Sequence, residues 1–562
     1  MSWKPEVEEI ERLRARALEM GGEEAVTKHR ERGRGNVRER IHALVDRDSF
    51  RERGQIAGAS EDEDLADYQP TSVVLGTAKI SSRPVVVCGD DFTIRGGAYS
   101  DAGLKKGLYA EELAVKRRIP IVRMLEAGGA SIAGTGGAAR GRSGYDWTSP
   151  PMLNVRSMES LQAVPVVCIA LGPCAGFPAG RLVTSHLSIM TKETSQVLTG
   201  GPAVVAQAMK EHVNKEELGG AQIHGRNGMV DNIAEDEADA LRMAQKFLSY
   251  LPSHCSEAPP YFDVGDQRNR REEKLLEIIP RERRRAYKIR KLIDHIVDQR
   301  SFFEIGALWG RSQVTGLARM NGHSIGVLAN DCHYDSGSMT ADGAAKIRRF
   351  VELCDLFHIP IVSFVDEPGF AVGTEAEKAG TIRAGMNAMF AILQTGVPWF
   401  ACVLRRSYGV AQGLHLGPGA TVVAWPSAMS GALPVESGVA LAFRRDIEAA
   451  EDPDARRAEL EEEMAKAQSV MPRALEFGVH DVIDPRDTRP VLCDWVEEVQ
   501  TQVADHARAG APRYSMRPLS TLGRTGPQSR RATGTAREDL ASLEVRLSLF
   551  RKCRHRLDVI IR

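Results

Sequence analysis

The 562-residue chain repeats itself once, and the repeat is long. Leu44-Val45-Asp46-Arg47-Asp48-Ser49-Phe50 reads against Ile296-Val297-Asp298-Gln299-Arg300-Ser301-Phe302. Val85–Asp91 reads against Ile325–Asp331, Ile119–Val122 against Ile359–Val362, and Val164–Val167 more loosely against Val397–Phe400. The four matches keep their order, at offsets of 252, 240, 240 and 233 residues. A period of that length is far beyond any solenoid unit, so it marks a duplicated domain. Each copy alternates helical and apolar stretches: Leu108–Arg118 then Ile119–Leu125, and Lys346–Phe357 then Ile359–Val365. Ser157–Gln162 and Met386–Gln394 precede the next apolar runs in the same way. Unbroken apolar runs between helices predict parallel strands buried on both faces in βαβ units, an α/β fold. Pro120, Pro165, Pro360 and Pro398 sit at strand starts, where no ladder donor is needed.

The duplication sets the predicted boundaries: an N-terminal domain over 1–250, a Pro- and charge-rich linker over 251–285, and a C-terminal domain over 286–509. Residues 5–50 read as helical, and 510–562 as a basic, flexible tail closing with a short helix over Arg537–Lys552. Lys and Arg number 74 against 75 Asp and Glu, so no basic field recruits nucleic acid or an anionic membrane. The longest apolar stretch, Val164–Gly180, is interrupted by Gly172, Pro173, Gly176 and Pro178, unlike a membrane span. Nine scattered cysteines without a CxxC predict neither a zinc ribbon nor a disulfide framework, and fit a cytoplasmic protein.

No nucleophile triad order, HExxH, Walker loop or dinucleotide fingerprint is present, and no metal site is predicted. What recurs is glycine directly after apolar strands. Gly128-Gly129-Ala130 follows Ile121–Leu125, and Gly176-Phe177 ends the run from Val164. In the second copy Gly369-Phe370 follows Ile361–Val365, and Gly409-Val410-Ala411 follows Trp399–Leu404. Glycine lets main-chain N–H groups turn outward, and two that converge form an oxyanion hole without any titratable side chain. Two such holes suit carboxyl transfer. One stabilises a thioester enolate, and the other the ureido oxygen of biotin as CO2 departs. The freed ring nitrogen can take the α-proton, so no protein base is required.

Together with Lys28-His29-Arg30-Glu31-Arg32-Gly33, Arg38-Glu39-Arg40-Ile41, Phe92–Tyr99, Gly172-Pro173-Cys174-Ala175-Gly176, Pro368-Gly369-Phe370, Trp425-Pro426 and Asp484–Arg489, these turns resemble the carboxyltransferase (β) subunits of biotin-dependent acyl-CoA carboxylases. The resemblance runs from about residue 20 to 500, within the propionyl-CoA and methylcrotonyl-CoA group. It implies two tandem crotonase-like domains, an acyl-CoA site in the first and a biotin site in the second. It also implies a homo-oligomer, usually a hexamer, with active sites shared across a dimer interface. The biotin would ride on a separate carrier or biotin carboxylase subunit, because no carrier signature is encoded. Carried over, Gly128, Gly129, Ala130 and Gly176, with Phe177, surround the thioester oxygen; Gly369, Phe370, Gly409, Val410 and Ala411 surround the biotin oxygen.

The family commonly has glycine where Phe177 and Val410 stand here. Val410 is β-branched, so either that position is not left-handed or the turn has moved and Gly413 takes it up. Glu126 and Glu367 add carboxylates beside the turns, as structural groups or as proton donors. Two further readings stay open on the residues alone: a biotin-independent decarboxylase of a malonyl-type thioester, and a non-catalytic homologue.

Overall fold

The computed structural model describes residues 2–129 and 152–509; Ala130 and the predicted tail from 510 lie outside the described residues. By compactness the chain divides into Met1–Arg524 and Thr525–Arg562, and the second unit is wholly outside them.

The repeat appears as two eight-stranded sheets. The first holds β1 (Arg51–Arg53), β2 (Val73–Ile80), β3 (Arg83–Asp90), β4 (Ile121–Ala127), β5 (Val166–Ala175), β6 (Leu187–Thr191), β7 (Gln196–Leu198) and β8 (Asn232–Ala234). The second holds β9 (Phe303–Ile305), β10 (Gln313–Met320), β11 (His323–Asn330), β12 (Ile361–Glu367), β13 (Trp399–Tyr408), β14 (Thr421–Ala424), β15 (Met429–Gly431) and β16 (Asp481–Val482). Strand order is β1-β2-β3-β4-β5-β6-β8 with β7 against the far end of β5, and β9-β10-β11-β12-β13-β14-β16 with β15 against the far end of β13. These are tandem crotonase-like domains.

The expectation of wholly parallel sheets is corrected at one edge. β1, β2 and β3 pair antiparallel, as do β9, β10 and β11, and the parallel run starts only at β3 and β11. The cause is a two-residue turn. Ser81 and Ser82 have φ of 49° and 67°, and Asn321 and Gly322 have φ of 48° and 80°. Two successive left-handed residues make the tight turn whose twist matches an antiparallel hairpin. The repeated aspartates explain how serines tolerate it. Asp46 accepts both Ser81 and Ser82 N–H at 2.9 and 2.7 Å, and Asp298 accepts Asn321 and Gly322 N–H at 3.0 and 2.8 Å.

Helices cover the sheets at matching places. α1 (Val37–Leu44) opens on an Asn36–Glu39 capping box and buries Val37, Ile41 and Leu44. α2 (Asp101–Arg117) corresponds to a second-half helix, α5 below, and the short α3 (Phe177–Val183) follows β5. α4 (Ile289–Ile296) buries Ile289, Leu292, Ile293 and Ile296, the spacing of one helix face. α5 (Ala341–Leu356) packs against α6 (Thr381–Gln394) and against β10, and α7 (Val470–Leu475) packs by β16. One apolar core runs through both halves, joining Val87, Ile169 and Phe247 to Phe303, Leu317 and Ile361. No helix among the described residues is long and apolar enough to cross a membrane.

Candidate functional site

The sheet registers align the predicted glycine turns. The last β4–β5 partners are Ala127 and Cys174; two residues beyond each come Gly129 and Gly176. The last β12–β13 partners are Glu367 and Ser407; two residues beyond each come Gly369 and Gly409. Both halves therefore present neighbouring turns at the same edge of the same strand pair. All four glycines need φ values that side chains resist: 95°, 65°, 122° and 61°. A Cβ on Gly129 would stand 3.0 Å from the Ala175 carbonyl, so the two first-half turns touch.

Not every predicted amide is left to bind a ligand. Gly128 N–H donates to the Gly96 carbonyl at 3.0 Å, and Gly176 N–H to Leu198 at 2.9 Å. Gly409 N–H donates to Gly431 at 3.1 Å, and Gly369 N–H to the Glu367 carboxylate at 2.9 Å. These bonds hold the turns in shape. The amides of Gly129, Phe370, Val410 and Ala411 make no such bond among the described residues. Phe177 is the first residue of α3, where helix amides point outward. Val410 keeps a negative φ, so Gly409 and not Gly413 supplies the left-handed step. Its side chain is 67% exposed, while Ala411 is buried.

The two added carboxylates are each bonded into a buried network. Glu126 is fully buried beside Arg40 at 2.5 Å, Arg34 at 3.2 Å and His29 at 3.4 Å. Burial pushes its pKa up, but His29 and Arg40 outweigh burial and hold it below the ordinary range. Those partners favour its charged form. The Arg38–Ile41 motif thus supplies a buried arginine that ties Glu126 to Glu237. Glu367, also fully buried, accepts from Gly369 N–H and from Asn330 Nδ2 at 3.0 Å, and lies 3.2 Å from His415 Nε2. His415 Nδ1 in turn lies 3.2 Å from Ser363 Oγ, so one buried chain ties the Gly369 turn to the segment after Gly409.

A second buried network was not anticipated. Tyr99 OH donates to Asp90 at 2.8 Å and receives Arg181 of α3 at 2.9 Å. Arg123 and Arg181 both meet Glu111, at 2.7 and 3.4 Å. The Tyr99 and Phe177 rings pack edge to face at 6.2 Å. Burial pushes Asp90 up to about 6, and pushes the Tyr99 phenol well above its usual range. Glu111 is pushed up by burial, but Arg123 and Arg181 prevail and lower it. The network clamps the helix that Phe177 begins. The only clue in sequence was Arg123 interrupting an apolar strand.

Beside Gly409 a cavity of about 440 Å³ opens between β13, β14, β15 and α7, a volume typical of small-molecule sites. Ser407, Gln412, Ser430 and Arg473 are its polar lining; Met429 and Val470 are among the apolar walls. Of the predicted second-half turn residues only Gly409 lines it; Val410 and Ala411 lie at its edge in sequence, Gly369 and Phe370 stand on the neighbouring turn, and none of these four is in the lining.

Residues 28–507 match the family described as carboxyl transferase domain. The chain is 32% identical to the propionyl-CoA carboxylase carboxyltransferase subunit of Haloferax mediterranei, over 87% of this chain and 95% of that one. It is 34% identical to the methylmalonyl-CoA carboxyltransferase 12S subunit of Propionibacterium freudenreichii, over 86% of this chain and 92% of the relative. A transcarboxylase 12S crystal structure, a hexamer with methylmalonyl-CoA and methylmalonic acid bound, superposes with a TM-score of 0.81 at 32% identity, covering 89% of this chain and 96% of that one.

Proposed function

We propose, from the premise that the chain belongs to the carboxyl transferase family, that it is the carboxyltransferase subunit of a biotin-dependent acyl-CoA carboxylase. It is an enzyme that moves a carboxyl group to an acyl-CoA. The observation that carries the residue assignment is the register: paired glycine turns, each two residues past the last strand partner, occur in both halves.

In the first half the thioester oxygen sits against the amides of Gly129 and Phe177. Gly128 and Gly176 fix the turns through their own committed N–H groups. Ala130, predicted with them, lies outside the described residues. The low-dielectric edge of the sheet makes each donor worth more to a developing enolate than to the neutral ester. In the second half Val410, Ala411 and Phe370 offer the corresponding amides, and the cavity beside Gly409 receives the donor ring. Carboxybiotin, delivered by a separate subunit, supplies the CO2 and then a basic ring nitrogen for the α-proton. With Glu126 tied to Arg34, Arg40 and His29, and Glu367 to Gly369, Asn330 and His415, both carboxylates are already engaged and the ring nitrogen takes that proton.

The decarboxylase and non-catalytic readings are not favoured. Each expects a plugged site over the second-half turn, whereas the cavity is open and Val410 projects outward. That exposure, with Val372, Ile382, Phe390 and Leu393 exposed on and near α6, supports an oligomer in which a second copy covers this face and completes the site. A hexamer, as in the 12S relative, is the proposed form. A cytoplasmic setting is proposed from the eight unbonded cysteines of the described residues.

The test is capture of a biotinylated partner, then assay of carboxylation over a panel of acyl-CoAs with the carboxylated carrier. Consumption of carboxybiotin that depends on an acyl-CoA is the expected result. Absence of both a biotinylated partner and that consumption overturns the reading.

A further inference from the structure

We propose that Arg473 makes the cavity beside Gly409 a carboxylate site, one that holds the carboxylated donor and lets the spent donor go. The inference rests on the reading above and names the charge state of the ligand that the cavity prefers. Arg473 is the one charged side chain in the cavity lining, and no acidic side chain faces it there. It forms no ion pair among the described residues. Its Nε donates to Ser430 Oγ at 3.2 Å, which aims the guanidinium while leaving its two terminal nitrogens for a ligand.

The mount is firm. Ser430 N–H is held by the Gln468 carbonyl at 2.9 Å, and Gln468 is bonded to Tyr408 OH at 2.8 Å. Gly478 N–H returns to the Arg473 carbonyl at 2.7 Å, and a Cβ on Gly478 would stand 3.5 Å from Arg473 Cδ. Across the cavity Ser407 Oγ donates to Gln412 Oε1 at 3.0 Å, which fixes the amide so that its NH2 is a second donor. A planar guanidinium binds a carboxylate through two parallel bonds. A neutral ureido ring presents no such partner. When the carboxyl group leaves for the acceptor, the charge that Arg473 holds leaves with it, and affinity for the spent ring falls.

The probes are 2-imidazolidone and (2-oxoimidazolidin-1-yl)acetate, a ureido ring without and with a carboxylate, titrated calorimetrically into the full-length protein. Wild type is expected to bind the acid at least tenfold more tightly. Arg473→Met should erase that preference and leave imidazolidone affinity within twofold, while Arg473→Lys retains part of it. In turnover, Arg473→Met should raise KM for the carboxylated carrier about tenfold with KM for acyl-CoA unchanged. Equal binding of the two probes by wild type, or a preference that survives Arg473→Met, overturns the inference. Should wild type show the Arg473-dependent preference yet take nothing from carboxybiotin, the carboxylate site stands and the biotin reading falls.

Discussion

Glu126 and Asp366 occupy the same position of the repeat, 240 residues apart, and both are fully buried carboxylates. Their partners differ. Glu126 reaches back to His29, Arg34 and Arg40 of the N-terminal segment. Asp366 is satisfied within its own sheet, by Arg405 at 2.8 Å and Arg406 at 2.7 Å on the adjoining strand. The same divergence runs through the neighbouring positions: Glu111 and Arg123 of the first half stand where Val351 and Ser363 stand in the second, and Asp90 where Asn330 stands. By contrast the turn aspartates, the glycine positions and the buried lysines Lys106 and Lys346 persist, each lysine donating to main-chain carbonyls. Duplication has kept what places the backbone and changed the polar filling beneath it. That is the pattern expected if main-chain amides are the working parts.

The strongest way to break the comparison is to remove Asp366. Asp366→Ala strands two buried or half-buried arginines and should cost about 3–5 kcal/mol, read as a lower urea midpoint. Glu126→Ala should weaken protection chiefly in residues 23–45, read by amide hydrogen exchange. Next come the turns. Gly129→Ala forces a Cβ against Ala175 at positive φ and should lower turnover about 100- to 1000-fold, the worth of one misplaced oxyanion donor (about 2.7–4 kcal/mol). Gly369→Ala should spare acyl-CoA binding, measured calorimetrically, and depress use of carboxybiotin. Equal losses in both assays for both variants would dissolve the assignment of one substrate to each half.

Asp90→Asn converts a first-half residue to its second-half counterpart. With its pKa pushed up to about 6, the folded chain holds this proton more tightly than the unfolded chain does between roughly pH 4 and 6. The stabilisation is full below pH ~4 and is lost as pH rises through 6. The wild-type advantage over the variant should therefore shrink by roughly 2–3 kcal/mol across that window, measured by denaturant titration. The smallest effect is expected from Val410→Gly. The side chain is exposed in the single chain and the left-handed step belongs to Gly409, so stability should change by less than about 0.5 kcal/mol, read as an unmoved urea midpoint.

Much of this was readable from residues alone. The repeat predicted two α/β halves because strand cores and turn aspartates carry short, spaced signatures. Ile121–Leu125 and Ile361–Val365 lie in β4 and β12. The antiparallel edge was missed in the first half because Ser81-Ser82 carries no glycine. In the second half Asn321-Gly322 is a hairpin signal legible in the sequence. Which amides of the turns were already committed could not be seen, since that depends on carbonyls such as Leu198 and Gly431 brought from other strands. The Glu111–Arg123–Arg181 cluster was hidden for the same reason: charges far apart in the chain look like isolated interruptions until folding pairs them.

The side chain of Asn232, the first residue of β8, bears on how the two halves meet. Its Nδ2 donates to the Glu304 carbonyl at 2.9 Å, and its Oδ1 accepts the Gly306 N–H at 3.1 Å. One amide thus impersonates a peptide unit toward the other half, so the border strands of the two sheets close on each other instead of recruiting a stranger. A doubled architecture that would otherwise leave two sticky seams is sutured at its own joint.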